Sequence, residues 1–544
     1  MTRSYLTGLL LLVLTIQASA QDAQYAFRVF FKDKNETTNT LSNPLAYLSQ
    51  RALDRRTKYG IDVDSTDLPV VKTYIDSVLL LTDGVLHLSS RWQNSCVILL
   101  EDSTNILALQ NISFVKSSKP VAYYSNGLHQ RPGIYDSVNT GNKPTDFDEN
   151  FYGAAWTQIH LCDGEYLHQH GKMGEGILIA VIDVGFTGVN TVHAFDSMFQ
   201  QGRLMDTWNY IYDTAHVFGY GDHGRQVLSC MASYIPETHV GTAPKAMYAL
   251  YATDDLISEQ AIEEDNFVAA TERADSLGAD LISTSLGYNY FENPADSYNY
   301  SDLDGNTTLS ATAANMATRK GIMVVASAGN EGNNSWQHIL TPGDADSAMT
   351  IGSVNDQKVH AISSGKGPNA AGVLKPNVSA MGVSASVISA AGSVNTQTGT
   401  SYATPILAGL TACLMQTDPS LFPLEIRSLI ESVSDSFATP TNSIGNGVPD
   451  FKKAYDQITG VEEITRVKDA FDVYPNPARE KVFISAKNYN GILSFAIYDL
   501  QGRIVQQGKV KTNESIAIST LREGMYFLKM NNGKEYQVDK IIIR

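Results

Sequence analysis

Short, nearly unbroken apolar runs constrain the middle of this 544-residue chain more than any other feature. They fall at 177–182 (ILIAVI), 247–251, 280–283 and 322–326 (IMVVA). Segments with three- and four-residue apolar spacing lie between them, at 259–277 and 309–319. A run apolar at consecutive positions is apolar on both faces of a strand, so both faces must be covered. Strands of this kind alternating with helices predict an α/β domain, a parallel sheet with helices on both faces, over residues 151–456.

The flanks read differently. Residues 1–20 have Arg3, an apolar stretch from Leu9 to Leu14 and the small residues Ala18-Ser19-Ala20 before Gln21. That is the pattern of a secretory signal peptide, too short to span about 30 Å of hydrocarbon. No later run of about twenty apolar residues follows, so a soluble, exported chain is expected. Residues 21–120 read as a small α+β domain, with a strand at 25–31, helices at 44–59 and 68–81, a buried strand at 96–100 and a last apolar segment at 112–115. Residues 121–150 continue a polar, Gly- and Pro-containing composition that begins at Ser117 and read as an exposed connector. Residues 457–470 are a charged linker. Residues 471–544 show period-two segments at 482–485, 493–498, 514–518 and 525–530, separated by Asn490-Gly491, Gln501-Gly502 and Asn532-Gly533, which predict a small β-sandwich.

Charge separates the last segment from the rest. The whole chain carries a net charge of -17, yet residues 471–544 hold eleven basic and seven acidic side chains. An acidic chain is a poor partner for nucleic acid, and none is expected. Hydrophobic residues at 43% and charged residues at 18% exclude a mainly disordered chain. The cysteines Cys96, Cys162, Cys230 and Cys413 form no C-x-x-C pair, so they read as buried thiols or one incidental disulfide, not a zinc or redox motif.

In an open parallel sheet, chemistry collects where strands end. Asp183 directly follows ILIAVI. His223 lies between glycines in GYGDHGRQ, just before a helical stretch. Ser401 opens a long apolar helix in TGTSYATPILAGL, where backbone N–H groups and the helix dipole favour a developing oxyanion. Asn330 follows IMVVA and offers a carboxamide to such an oxygen. Each residue alone suits a cap, a turn or a surface position. Together they give the order Asp, His, Ser, one of the orders in which acyl-transfer triads occur.

The local sequences resemble those of the subtilisin-like serine proteases. Gly399-Thr400-Ser401-Tyr402-Ala403-Thr404-Pro405 matches that family's nucleophile motif, and Ser327-Ala328-Gly329-Asn330 its oxyanion segment. Ser285-Leu286-Gly287 matches the segment lining the substrate cleft, and Gly241-Thr242-Ala243-Pro244-Lys245-Ala246 the stretch after the His helix. The resemblance implies a serine endopeptidase with Asp183, His223 and Ser401 as triad and Asn330 as oxyanion donor. Ser285, Leu286 and Gly287, with Ser327, Ala328 and Gly329, would form the two edges of a cleft for polypeptide substrates. Two positions depart from the pattern. Val184 replaces a hydroxyl residue after the Asp, and Arg225 replaces a threonine after His-Gly. They leave open an inactive, peptide-binding member of the family, and an esterase is the other alternative.

The same resemblance casts residues 21–120 as a propeptide that acts as an intramolecular inhibitor, with a processing site in the connector. Residues 471–544 resemble the C-terminal sorting domain of proteins exported by the type IX secretion system of Bacteroidetes. The matching residues are Val473-Tyr474-Pro475-Asn476-Pro477, Tyr498-Asp499, Gly502, Gly524-Met525-Tyr526 and the basic end from Lys540 to Arg544. That machinery is the implied export partner, and a secreted or cell-surface protein the implied outcome. No cofactor is required for the chemistry. Structural calcium is a family trait, for which Asp344 and Asp346 are candidate carboxylates, although no EF-hand loop occurs. His168 and His170 read as surface residues rather than metal ligands.

Overall fold

The computed structural model describes residues 24–35, 37–124, 147–460, 465–466, 470–486, 489, 491–532 and 535–544. The expected signal peptide and most of the connector lie outside the described residues.

The N-terminal unit combines an antiparallel sheet with two helices. Its strands are β1 (Gln24–Phe31), β2 (Val85–Ser90), β3 (Ser95–Leu100) and β4 (Val115–Tyr124), in the order β2-β3-β1-β4. Helices α1 (Gln50–Tyr59) and α2 (Lys72–Thr82) are each shorter than the spacing predicts. Only a 3₁₀ turn forms at Pro44–Ala46; α1 then starts after Ser49, whose hydroxyl accepts the Ala52 N–H at 3.1 Å and caps it. Before α2, Pro69 biases Leu68 towards an extended backbone, and the β-branched Val70 and Val71 follow. Residues from Ser117 to Tyr124, expected in the connector, belong to β4, where they pair with β1. Alternation did not reveal this strand because most of it is exposed.

The central domain carries the predicted parallel sheet. Its strands are β5 (Leu178–Asp183), β6 (Leu204–Asn209), β7 (Met247–Ala252), β8 (Leu281–Thr284), β9 (Met323–Ser327), β10 (Met349–Val354) and β11 (Val378–Met381). They lie in the order β11-β10-β9-β8-β5-β7-β6, every pairing parallel. Alternate residues of β5 show why the run had to be apolar throughout. Ile179 and Val181 enter one core with Val227, Met231, Leu407 and Leu410, from helices α3 (His223–Ala232) and α6 (Thr400–Thr417). Leu178, Ala180 and Ile182 enter another with Phe267, Ala270, Ala314 and Ala317, from α4 (Ile262–Leu277) and α5 (Leu309–Arg319). The fold class is therefore as predicted.

The second core does not stop at the helices. Ala26, Leu88, Val97 and Val121 of the N-terminal sheet belong to it, so α4 is buried between two sheets. Strand β1 alternates accordingly: Ala26 faces α4, while Phe27, Val29 and Phe31 form the unit's own core with Tyr74 and Val78.

Burial makes the acids of α4 expensive unless they are paired. Arg28 reaches Asp265 with Nε to Oδ1 at 2.5 Å and Nη2 to Oδ2 at 2.6 Å. Asp275 is fully buried and takes three guanidinium groups: Arg55, Arg56 at 2.8 Å and Arg91 at 2.6 Å. Glu272 accepts Ser90 Oγ at 2.5 Å and the N–H groups of Arg91 and Trp92 at 2.9 and 3.1 Å. Burial pushes the Asp275 carboxyl up, but Arg55, Arg56 and Arg91 outweigh it and hold it below the ordinary carboxylate range.

After the central domain, the helix Phe451–Thr459 runs past residue 456, into the segment expected as linker. The C-terminal unit has a five-stranded and a three-stranded sheet around a core that includes Val482, Ile484, Leu493, Ile497 and Leu528. Its pairings are antiparallel except for the short strand Thr465–Arg466, which runs parallel to Glu535–Ile543. All four cysteines are buried and free. No described helix is long and apolar enough to cross a membrane.

Asp275→Asn, in an uncut chain carrying Ser401→Ala, should lower unfolding stability by about 3–5 kcal/mol, because three buried guanidinium groups lose their shared charge. Urea denaturation measures this. A depressed carboxyl stabilises above its unfolded value of about 3.9, so the Asp275 contribution should vanish as pH falls through the lower folded value.

Candidate active site

Two parts of the C-terminal edge of the sheet supply an acid and a base. Asp183 is the last residue of β5 and is fully buried. His223 is the first residue of α3. The segments around them touch: a Cβ on Gly185, after Asp183, would sit 1.8 Å from the Tyr220 carbonyl oxygen, and one on Gly224, after His223, would sit 2.5 Å from the Gly185 oxygen. Only glycine allows this approach. It lets His223 Nδ1 donate to Asp183 Oδ1 at 2.7 Å, leaving Nε2 as the acceptor. Asp183 Oδ1 also accepts the Val184 N–H at 2.8 Å, while its Oδ2 is buried without a partner. Burial lowers the His223 pKa, but the charge and hydrogen bond of Asp183, with Asp222 and Asp254, raise it above the ordinary imidazole value.

Ser401 sits in the first turn of α6, after Gly399. Pro405 has no N–H to give the Ser401 carbonyl, the bond a helix would normally make there. Ser285 Oγ donates to that carbonyl instead, at 2.9 Å. The proline thus frees an acceptor that ties the helix start to the segment after β8. Tyr402, the next residue, lies with its ring centroid 5.9 Å from that of His223 and donates its hydroxyl to Gln226 Oε1 at 3.0 Å. Asn330 is exposed after β9 and turns its carboxamide oxygen to Thr400, accepting the backbone N–H at 2.9 Å and Oγ1 at 3.2 Å. The Asn330 amide nitrogen has no protein partner among the described residues.

The two expected cleft segments differ. Ser285-Leu286-Gly287 continues β8 beyond its last paired residue, Thr284. Ser327-Ala328-Gly329 is held by its neighbours: Ser327 pairs with Ile351, the Ala328 N–H donates to the Ile351 carbonyl at 3.0 Å, and Gly329 O accepts from Gly365 at 2.9 Å. Ser327 Oγ donates to Leu286 O at 3.2 Å and joins the segments.

Arg225, which the sequence places beside the base, has a buried side chain. Its guanidinium donates to Thr187 O at 2.7 Å, Asp222 Oδ2 at 2.9 Å and Ile388 O at 3.3 Å. His168, expected at the surface, is fully buried. Its ring nitrogens meet Tyr152 Oη at 2.7 Å and Thr242 O at 2.9 Å, and burial lowers its pKa to about 4. Its helix, Glu165–Gln169, is too short for a period to show in sequence. His170 is exposed, as expected.

The candidate calcium carboxylates do not form a calcium shell. Asp344 Oδ2 accepts the Gly305 N–H at 2.9 Å, and Asp346 Oδ2 accepts Asn306 Nδ2 at 2.8 Å. One buried oxygen of each carboxylate is left over, against the six to eight oxygens calcium takes. The neighbouring carbonyls of Ala345 and Ala348 are taken by the buried Lys375 ammonium, at 2.7 and 2.9 Å. Elsewhere, His160, Asp163 and Glu165 lie together, with His160 Nδ1 hydrogen-bonded to Glu165 Oε1 at 2.5 Å.

The acids around the ends of β7 and α4 escape sequence reasoning. Asp254, Glu263 and Glu264 are all buried. Glu263-Glu264-Asp265 at a helix start reads as a solvated first turn. The only signal was its density, beside Asp254-Asp255 ten residues earlier.

Three family profiles match the chain: the Subtilase family over residues 174–447, the Peptidase S8 propeptide domain of Bacteroidota over 26–132, and the Secretion system C-terminal sorting domain over 472–544. The last marks the chain for secretion or the cell surface. Subtilisin E of Bacillus subtilis (strain 168) is 28% identical over 271 residues, covering 49% of this chain and 63% of that protein. Serine protease AprX of the same strain is 30% identical over 293 residues, covering 48% of this chain and 62% of that protein. The chain therefore spans less than two thirds of these relatives. Subtilisin of Bacillus pumilus is covered to 87%, at 28% identity over 271 residues and 49% of this chain. Among solved structures, MycP1 from the ESX-1 type VII secretion system aligns with a TM-score of 0.45 and 21% identity, over 56% of this chain and 87% of that one. With the subtilase profile spanning half of its length, the chain belongs to the subtilase family.

Proposed function

We propose that this protein is a serine endopeptidase that cleaves polypeptides through an acyl-enzyme. The observation that carries the reading is the 2.7 Å hydrogen bond from His223 Nδ1 to Asp183 Oδ1, in a fold that sets Ser401 at a helix start and its neighbour Tyr402 beside the imidazole. Ser401 Oγ attacks the scissile carbonyl, and His223 Nε2 takes its proton. The imidazolium, stabilised by Asp183, returns that proton to the leaving amine, and water then releases the acyl group. The Ser401 N–H and the Asn330 amide hold the oxyanion. Ser285-Leu286-Gly287, unpaired beyond the ladder, supplies an edge to which an extended peptide adds as a strand. This favours peptides over small esters. The guanidinium of Arg225 is buried, and its hydrogen bonds go to Thr187, Ile388 and Asp222 rather than to the imidazole, which weakens the reading as an inactive binding protein.

In the same reading, the N-terminal unit inhibits the peptidase until it is cut away, and the type IX secretion machinery engages the C-terminal unit. The ion pairs between β1, α1 and α4 support the first role.

A fluorophosphonate probe should add one adduct to the mature protein and none to Ser401→Ala, read by intact mass. Absence of the adduct from a folded, mature wild type would overturn the reading. Asn330→Ala should lower kcat by about 10²–10³ with KM little changed; that magnitude is the one known for subtilisin and is carried over by family likeness. The pH profile of kcat/KM gives a third check. The base must be neutral to accept a proton, and its pKa is raised, so activity should fall on the acid side with a midpoint above the ordinary imidazole value of about 6.5.

A further inference from the structure

Four carboxyl groups stand beside the catalytic pair without a countercharge. The Thr253 N–H donates to the Asp183 carbonyl at 3.1 Å, so Asp254 and Asp255 follow within two residues of a direct contact with Asp183. Asp254 accepts Thr253 Oγ1 and Tyr288 Oη, both at 2.8 Å. Glu263 accepts the Asp255 N–H at 2.9 Å on Oε1, while its Oε2 is buried and has no partner among the described residues. Glu259 completes the group, acting electrostatically on both Asp254 and Glu263. Among the described residues, none of these four acids forms an ion pair. The contrast lies on the same helix, where Asp265 and Asp275 are fully matched by arginines.

The site already holds a peptide, the chain's own. At the end of β4, Tyr123 is gripped by a single carboxamide: its N–H donates to Gln260 Oε1 at 2.6 Å, and its carbonyl accepts Gln260 Nε2 at 3.2 Å. A side chain that satisfies one residue's N–H and C=O together recognises extended backbone whatever the sequence. The next residue, Tyr124, lines a small cavity of about 10 Å³ with Asp255, Gln260, Glu263 and Asn266. Tyr124 forms one wall of that space and His87 of β2 another, its Nε2 meeting Asn266 Oδ1 at 3.0 Å; burial lowers the His87 pKa, so neither wall brings a positive charge. Burial raises the pKa of Asp254 to about 8, with Glu259 and Asp183 adding to it, and that of Glu263 to about 11, with Asp254 and Glu259 adding to it.

We infer that the space Tyr124 and His87 wall off, and vacate when the N-terminal unit is cut away, is a substrate subsite that selects a lysine or arginine side chain, with Gln260 holding the backbone of the preceding residue and Asp255, beside Glu263, receiving the charge. The inference rests on the peptidase reading and adds a substrate class to it. Polypeptides with a basic residue at one position away from the scissile bond are the expected substrates.

The test uses the mature secreted enzyme, active by fluorophosphonate labelling, and internally quenched peptides scanned position by position with Lys, Arg, norleucine and Glu. One position is expected at which Lys or Arg raises kcat/KM about tenfold or more over norleucine, with Glu worst. Asp255→Asn and Glu263→Gln should each flatten that preference while leaving cleavage of the norleucine peptides within a few-fold. Asp255 is only half-buried, so its variant keeps the test open if the buried Glu263→Gln fails to fold. Cleavage without a basic preference, or a preference that neither variant alters, overturns the inference and leaves the peptidase reading standing. No cleavage of any peptide overturns both.

Discussion

A sheet buried on both faces leaves little room for polar groups. Strand β5 sends alternate side chains into two separate cores, and β8 and β9, the next two strands on one side of it, are buried along their whole length. Polar chemistry is thereby pushed to the edge where the strands end. Asp183 occupies that edge as the final residue of its strand, and the segments after β8 and β9 bring Ser285 and Asn330 to the same rim. The burial that makes the core stable also concentrates the chemistry, because a carboxylate there is screened from water and holds its imidazole firmly.

Helix α4 carries the other half of the design. It covers the sheet on one side and is itself covered by β1 and β2 on the other. Its two ends answer the cost of buried acid differently. At the C-terminal end, Asp275 takes three arginines from the N-terminal unit. At the N-terminal end, Glu263 keeps an unmatched oxygen beside Tyr124. One helix thus carries a closed ion-pair joint at one end and, among the described residues, an unpartnered carboxyl oxygen at the other.

Much of this was legible in sequence because it rests on local rules. The doubly apolar run ILIAVI could only be a buried parallel strand, and the chemistry of Asp183, His223 and Ser401 followed from their places beside such runs. The glycines at 185 and 224 stood in the motifs, although the contact they permit is visible only in three dimensions. What stayed hidden depends on distant partners. His168 looked like a surface residue because the groups that satisfy it, Tyr152 and Thr242, lie on other elements. The acids of α4 looked solvated because their arginines are more than 180 residues away. Strand β4 looked like connector because its polar residues face outward from an edge. In each case the deciding partner is remote in the chain, and periodicity does not report it.

Asp275 has a consequence for what happens when the two parts separate. Arg55, Arg56 and Arg91 come from one unit and converge on a carboxylate that belongs to the other, while Arg56 also keeps Asp67 of its own unit at 2.7 Å. Parting leaves Arg55 and Arg91 without their carboxylate and Arg56 with Asp67 alone, on a small domain with few residues to hold them there. A half-broken buried pair costs more than either a whole one or none. The N-terminal unit is therefore shaped like a clasp that closes comfortably only on its own counterpart. Once opened, it is the piece left under tension, while the enzyme-side helix keeps a single carboxylate that water can readily hydrate.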